Sequence, residues 1–219
     1  MREPVSGLTH LAGAILSAVG LAALLRAALR GGAGGTTGGA GVWSLVAFAI
    51  FGASLILLYT ASSLYHLLPL SARGTLALRR LDHMMIYVLI AGSYTPFCLV
   101  SLRDRGAWGW GLFGAVWGLA AAGITLKAVW MRAPRWLSVT FYLGMGWLVV
   151  VAAGPLLRAV PAGGLEWLAV GGLFYTVGAV FYATKWPRLA PGVFGFHELW
   201  YLFVMAGSFS HFWAVYRFL

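Results

Sequence analysis

Long hydrophobic stretches are the feature that most constrains this chain. Each carries few or no charged residues, and a stretch of about 20 apolar residues crosses the hydrocarbon core of a bilayer as a helix. Only 9% of the 219 residues are charged, against about 25% in a soluble domain. The sequence therefore predicts an all-α integral membrane protein, a single domain (1–219) built as a bundle of seven transmembrane helices. The predicted helices cover residues 8–29, 42–68, 82–102, 108–128, 136–157, 165–184 and 195–217.

The connections between these stretches are short and hold most of the charge. Residues 31–41 read GGAGGTTGGAG, which predicts a flexible loop because glycine disfavours a regular helix. Nine Lys and Arg residues flank the spans on the N-terminal side of the membrane and six on the opposite side. This bias predicts a multi-pass protein of the cell membrane with a cytoplasmic N-terminus and an external C-terminus. Since the net charge of +10 is scattered, we expect membrane lipids as partners, and neither nucleic acid nor a large soluble protein.

Metal chemistry in this chain depends on histidine and carboxylate. The single cysteine, Cys98, excludes an intrachain disulfide and a cysteine-based zinc site. Ionisable residues inside membrane spans are costly and are therefore functional candidates. Alternating topology assigns six of the His, Asp and Glu residues to one end of the bundle, the predicted cytoplasmic end, and His211 to the other. The six are His10, His66, Asp82, His83, His197 and Glu198.

Spacing within the helices predicts a layered site. Ser62 precedes His66 by four residues, and Tyr201 follows His197 by four, so each pair shares a helix face. Because spans two and seven are antiparallel, Ser62 and Tyr201 lie at a similar depth, about 5 Å below the histidines. Imidazoles and a carboxylate are suitable ligands for Zn²⁺, which lowers the pKa of water toward about 7. Such a site at headgroup depth favours attack on amide or ester carbonyls of lipids.

Simpler interpretations exist for several of these residues. The carboxylates of Asp82 and Glu198 begin their predicted helices, where the helix dipole stabilises negative charge; for Glu198 that explanation is sufficient. Hydrogen bonding to a neighbouring group is the simpler interpretation for others, taken singly. These are His10, Ser62, His83 and His211.

Four sequence segments resemble a known family. They read EPVSGLTHLAG at the first span, ASSLYHLLP at the second, RRLDHMMIYVLIAGSYTPF at the third and FGFHELWYLFVMAGSFSHFWAVYRFL at the seventh. The chain is similar, over nearly its whole length, to the progestin and adiponectin receptor family, and specifically to its bacterial hemolysin III branch. The resemblance implies a seven-helix bundle with a cytoplasmic N-terminus and a zinc ion near the cytoplasmic face.

The resemblance also implies a set of site residues. By resemblance to the family motifs, the zinc ligands include His66 of SSLYH and His197 of HELWY. Ser62, also in SSLYH, and Asp82 of RRLDH are expected nearby. The position of the expected third histidine is Tyr201, which departs from the family pattern. Three outcomes follow: Asp82 becomes a direct ligand, Tyr201 coordinates as phenolate or through water, or metal binding is weak or lost. We favour the first.

Two functions of different classes follow from these residues. The first is a zinc-dependent hydrolase of lipid amide or acyl bonds, with ceramidase-like chemistry implied by the family. Its catalytic residues would be Asp82, which orients or deprotonates water, and Ser62, which donates to the oxyanion. The alternative is a non-enzymatic sensor of membrane state, or a cytolysin, in which zinc is structural. Clustering of ionisable groups at one end argues against a channel.

Overall fold

The computed structural model describes residues 4–32, 39–187, 189–190 and 194–219. Residues 33–38, at the centre of the predicted glycine-rich loop, lie outside this part of the chain, as do Arg2 and Arg188. The described residues are organised almost entirely as helices. In chain order these are α1 (Pro4–Gly32), α2 (Gly39–Leu67), α3 (Ala72–Pro96), α4 (Trp108–Val129), α5 (Arg135–Trp147), α6 (Ala153–Ala159), α7 (Ala162–Thr184) and α8 (Phe196–Phe218).

Six spans are long and apolar enough to cross a membrane within the described ranges. Four of them correspond to α1, α2, α4 and α7. The fifth is α3 together with the residues that follow it up to Ser101, and the sixth combines α5 and α6 as Arg135–Ala159. The seventh predicted span is α8, a helix of 23 residues that also carries His197, Glu198 and His211. The fold is therefore all-helical with six to seven apolar helices, and the orientation of the termini stays a prediction.

The third helix begins earlier than hydropathy predicts. Ser71 caps α3, and its Oγ accepts a hydrogen bond of 3.3 Å from the Gly74 amide, so the helix starts ten residues before position 82. Asp82 therefore lies in the interior of α3, and the helix-dipole explanation is wrong for this carboxylate. Hydropathy locates only the apolar part of a helix, whereas its start is determined by the cap.

The fifth span is interrupted. A 3₁₀ segment, Leu148–Ala152, separates α5 from α6, where Pro155 lacks the amide that a continuous helix needs. The Tyr94 hydroxyl lies 2.8 Å and 2.6 Å from the carbonyl oxygens of Met145 and Gly146, and it accepts the Val149 amide at 2.8 Å. Backbone groups within a membrane must be satisfied by protein. Tyr94 supplies that partner, and the predicted continuous helix 136–157 is replaced by two segments.

The helices pack in a closed order. Sequential neighbours α1–α2, α2–α3, α3–α4 and α7–α8 are in contact, α5 packs on α3 and α7, and α8 returns to α1. After Pro96, α3 continues as a π-helical turn, Phe97–Ser101. Helix association in a membrane depends on such close packing and on interhelical hydrogen bonds. This order brings α1, α2, α3 and α8 together around one group of polar side chains.

Candidate functional site

Polar side chains from four helices meet at one end of the bundle. We call this group the histidine layer; its members are His10, Ser62, His66, Asp82, His197 and Tyr201. Tyr201 of α8 is central to it, since its hydroxyl lies 2.6 Å from His66 Nε2 and 3.3 Å from Ser62 Oγ. Ser62 and His66 reach the same hydroxyl because they are one turn apart on α2. All but His197 are buried.

The imidazoles of His66 and His197 face each other beside Tyr201. Their ring centroids are 5.4 Å apart, and the centroid of the Tyr201 ring is 4.6 Å from that of His197. The Asp82 carboxylate of α3 interacts with the side chains of Ser62 and His66. The structure therefore brings together the four residues to which the sequence assigned site roles, and it places Tyr201 among them.

His10 of α1 also belongs to the layer; the sequence placed it among the ionisable candidates at this end of the bundle, with hydrogen bonding to a neighbour as the simpler interpretation, and assigned it no site role. Its ring lies on the Tyr201 ring with a centroid distance of 3.8 Å and a tilt of 30°, and it meets Tyr59 edge-on at 5.0 Å. A sequence signal for this placement exists. Small or polar residues form a buried stripe along an otherwise apolar α1: Ser6, Gly7, His10, Gly13 and Ser17.

Glu198 and His83 each have hydrogen-bonding partners. The Glu198 carboxylate accepts the Gly195 amide at 2.8 Å and the Ser6 hydroxyl at 2.9 Å, so it caps α8 and ties α8 to α1. His83 Nδ1 lies 2.9 Å from the Arg79 carbonyl oxygen and 3.4 Å from Asp82 Oδ2. Glu198 thus fits its structural interpretation, and His83 is placed beside the Asp82 carboxylate.

A second polar group lies deeper along α8. We call it the tyrosine cluster: Tyr59, Tyr175, Ser208 and His211. The Ser208 hydroxyl is 2.7 Å from the Tyr59 hydroxyl and 2.9 Å from that of Tyr175. His211 Nε2 donates to the Leu168 carbonyl oxygen at 3.2 Å, and its ring meets Tyr175 edge-on. From the sequence only His211 of this cluster was singled out, because its other three members are hydroxyl side chains and the candidates were histidines and carboxylates.

A cavity of about 320 Å³ connects the two groups. Its lining includes His10, Asp82, His197 and Tyr201 of the histidine layer, and Tyr175 and His211 of the tyrosine cluster. Most other lining residues are apolar side chains from α3, α5, α6, α7 and α8. A mainly apolar cavity with a few convergent polar groups is typical of a small-molecule site.

The histidine layer has donor chemistry suitable for zinc. Imidazole nitrogens and a carboxylate oxygen are the ligands that Zn²⁺ takes in proteins without cysteine, and His10 contributes two ring nitrogens that have no hydrogen-bond partner among the described residues. Among the described residues, however, no group of three or more His, Cys, Asp or Glu side chains is arranged so that it could hold a metal ion. The residue types fit zinc, and the central position between the imidazoles is filled by the Tyr201 ring.

Comparisons with known proteins agree with this architecture. The family model described as haemolysin-III related matches residues 1–212. The chain is 37% identical to the hemolysin-3 homolog of Bacillus subtilis, covering 97% of this chain and 92% of that protein. It is 38% identical to hemolysin-3 of Bacillus cereus, with 97% and 90% covered.

A more distant relative extends the similarity to animals. The human monocyte to macrophage differentiation factor is 28% identical over 185 residues, which cover 81% of this chain and 72% of that protein. Together with the six apolar spans, these matches identify a multi-pass protein of the cell membrane. The chain belongs to the haemolysin-III related family of membrane proteins.

Proposed function

We propose that this protein is a zinc-dependent membrane hydrolase that cleaves lipid amide or related acyl bonds at the histidine layer. One observation carries the proposal: a mainly apolar cavity within the helix bundle is lined, among its few polar groups, by the imidazoles of His10 and His197 and the carboxylate of Asp82. Ionisable groups inside a membrane bundle are retained at a cost and mark functional sites. Hydrolysis of the bond between an acyl chain and a polar head would use the apolar cavity to bind the chain and the polar groups to carry out the reaction.

The cavity accounts for the substrate class. Its apolar walls suit a long acyl chain, whose burial is favourable at about 0.8 kcal/mol per methylene group. With the chain inside the cavity, the amide or ester carbonyl lies at the polar end, beside Asp82 and His197. The apolar lining also excludes bulk water from the reacting bond, which strengthens electrostatic interactions there.

The residues of the layer have complementary roles in this proposal. His66 and His197 would hold the zinc ion, which when bound would supply Lewis acidity that polarises a carbonyl and makes water more acidic. Asp82 accepts a proton from the attacking water, and its interaction with Ser62 and His66 keeps it next to the reacting groups. In this proposal the Ser62 hydroxyl, which contacts the Tyr201 hydroxyl at 3.3 Å, would donate a hydrogen bond to the negative charge that develops on the carbonyl oxygen.

Hydrolysis of a long-chain N-acyl sphingoid base by purified protein in lipid nanodiscs tests the proposal. The protein is loaded with zinc, its metal content is measured, and released fatty acid is quantified for the wild type and His66→Ala. We expect at least a 100-fold loss of turnover in His66→Ala, because metal polarisation of a carbonyl is worth several kcal/mol. Leu64→Ala, a neighbouring change at a position that is 39% exposed, should retain activity. Equal turnover by wild type and His66→Ala would remove the metal from the mechanism.

A second candidate function comes from the relatives. The two Bacillus proteins are named hemolysin-3 or its homolog, and membrane permeabilisation is the corresponding activity for this chain. In that case a metal in the histidine layer would be structural, and it would tie α2, α3 and α8 together. In a membrane-state sensor with a structural metal, removal of the metal would likewise lower the stability of the protein.

Dye release separates these functions. Purified protein is reconstituted with dye-filled vesicles, and leakage is compared with hydrolysis in the same preparation. Leakage without fatty acid release would favour the cytolysin. A chelator that lowers the melting temperature, with neither leakage nor hydrolysis, would favour a structural metal in a sensor.

A further inference from the structure

His211, at the deep end of the cavity, carries a buried nitrogen without a hydrogen-bond partner among the described residues. His211 is 8% exposed and lines the cavity. Its Nε2 donates to the Leu168 carbonyl oxygen at 3.2 Å, whereas Nδ1 makes no hydrogen bond within the described part of the chain. A neutral imidazole that donates through one nitrogen presents a lone pair at the other, so Nδ1 is an acceptor. Because buried polar atoms are almost always paired, this nitrogen points to a hydrogen-bond donor in a bound ligand.

The hydroxyl groups of the tyrosine cluster provide a donor beside this acceptor. Tyr59 donates to Ser208 at 2.7 Å, and Ser208 and Tyr175 share a second hydrogen bond of 2.9 Å. Three hydroxyl groups carry three hydrogens, and these two bonds use two of them. When Ser208 donates to Tyr175, the remaining hydrogen belongs to Tyr175, which is the one of these three residues that lines the cavity. The deep end of the cavity then presents one donor and one acceptor.

Close packing of α7 against α8 holds the two rings in the cavity wall. A Cβ added to Gly171 of α7 would clash with the His211 ring of α8. In the reverse direction, a Cβ added to Gly207 of α8 would lie 2.9 Å from the Tyr175 ring of α7. Each ring therefore occupies the space that a glycine of the opposite helix leaves open, as is typical of close helix contacts in membranes. The donor and the acceptor are thus fixed at the same helix–helix contact.

The length of the cavity indicates which part of a ligand reaches this end. His197 and His211 both line the cavity and are fourteen residues apart on α8, which corresponds to about 21 Å along the helix axis. That distance is comparable with the length of an extended palmitoyl chain. A long-chain ligand whose head lies at the histidine layer therefore places the far end of its chain beside Tyr175 and His211.

We propose that Tyr175 and His211 form a second polar subsite of the cavity, which binds a hydroxyl group at the far end of a long-chain ligand. One hydroxyl group accepts a hydrogen bond from Tyr175 and donates one to His211 Nδ1, so it satisfies both. A buried water typically makes about three hydrogen bonds, more than this pair offers, and a methyl end would leave Nδ1 unpaired. The inference rests on the acyl-chain cavity of the proposed function and adds specificity for ω-hydroxylated chains.

Two isomeric ligands test the subsite. α-Hydroxypalmitic acid and ω-hydroxypalmitic acid contain the same atoms, and only the ω isomer carries its hydroxyl group at the far end of the chain. Their dissociation constants are measured with purified protein in detergent, by displacement of a fluorescent fatty acid. We define the ω preference as the dissociation constant of the α isomer divided by that of the ω isomer. A purely structural change weakens both ligands alike and leaves this ratio unchanged.

The wild type should bind the ω isomer more tightly than the α isomer. His211→Phe should lower the ω preference at least about tenfold, because the ligand hydroxyl is then buried without its acceptor. Tyr175→Phe should lower it about threefold, since one hydrogen bond is lost, and it keeps the test decisive if His211→Phe does not purify as a folded protein. Tyr59→Phe is the matched control: it removes a hydrogen bond of the same cluster outside the cavity lining, so it should keep the wild-type ratio.

Two results would overturn the subsite. One is equal binding of the two isomers by the wild type, which would assign Nδ1 of His211 to a buried water. The other is an ω preference that persists unchanged in both His211→Phe and Tyr175→Phe. Fatty acid release from an N-acyl lipid separates this inference from the proposed function. An ω preference without hydrolysis would support the subsite and contradict the proposed reaction, and hydrolysis without an ω preference would do the reverse.

Discussion

The histidine layer and the tyrosine cluster are two polar groups on the same helix, α8, and they differ in how their members are satisfied. In the tyrosine cluster, Ser208 joins the Tyr59 and Tyr175 hydroxyls, and His211 donates through Nε2 to the Leu168 carbonyl oxygen, so that among its described groups His211 Nδ1 is the buried atom left without a hydrogen-bond partner. In the histidine layer, His10 has no hydrogen-bonding partner among the described residues, and a carboxylate lies beside several imidazoles. Both groups contribute to the lining of one cavity.

Under the proposed function, the tyrosine cluster is a structural polar group and the histidine layer is the site of the chemistry. Interhelical hydrogen bonds between neutral side chains connect the helices and need nothing further. A charged group with several imidazoles is costly in a membrane unless it binds or reacts with something. The comparison predicts that substitutions in the histidine layer lower turnover more than they lower the free energy of unfolding. Substitutions in the tyrosine cluster should lower the free energy of unfolding more than they lower turnover.

The largest expected effect is the loss of hydrolysis in Asp82→Asn. The amide retains the size of the carboxylate but cannot accept the proton of the attacking water, so turnover should fall at least about 100-fold. Fatty acid release in nanodiscs is the measurement, with Leu81→Ala, at a position that is 40% exposed, as the matched control on α3. Undiminished turnover in Asp82→Asn would break the proposed difference between the two groups.

The next effect is on stability, in His211→Ala. This change removes the hydrogen bond to the Leu168 carbonyl oxygen and creates a cavity beside Tyr175, and it should cost about 2 kcal/mol. An SDS titration of unfolding measures it, and Leu202→Ala on α8, at a position that is 42% exposed, should change stability by less than about 0.5 kcal/mol. Turnover per folded molecule should be retained. A loss of turnover comparable to that of Asp82→Asn would assign His211 to the chemistry.

The smallest expected effect is that of Ser208→Ala. Two interhelical hydrogen bonds to Tyr59 and Tyr175 are lost, and at about 0.6 kcal/mol each the unfolding free energy should fall by about 1 kcal/mol. Combining Ser208→Ala with Tyr59→Phe should cost less than the sum of the two single changes, because both remove the same bond. Strict additivity in the SDS titration would contradict a shared network.

Local sequence patterns predicted much of the fold and part of the site. Hydropathy located the apolar spans, and four-residue spacing placed Ser62 with His66 and His197 with Tyr201 on common helix faces. These predictions succeed because they depend on the helical repeat within one segment. The same reasoning misplaced Asp82 at a helix start, since the cap at Ser71 lies in a polar segment that hydropathy does not recognise.

What the sequence by itself determined is the class of the protein: apolar spans in a membrane, a scarce set of ionisable residues, and a tyrosine where a third histidine was expected. Only the tertiary structure decided that His10 stands beside that tyrosine, that Tyr94 satisfies the break in the fifth span, and that Ser208 joins two tyrosines. Each of these contacts links residues of different helices. Hydropathy and periodicity describe one helix at a time, whereas the partner of a side chain depends on which helices pack together.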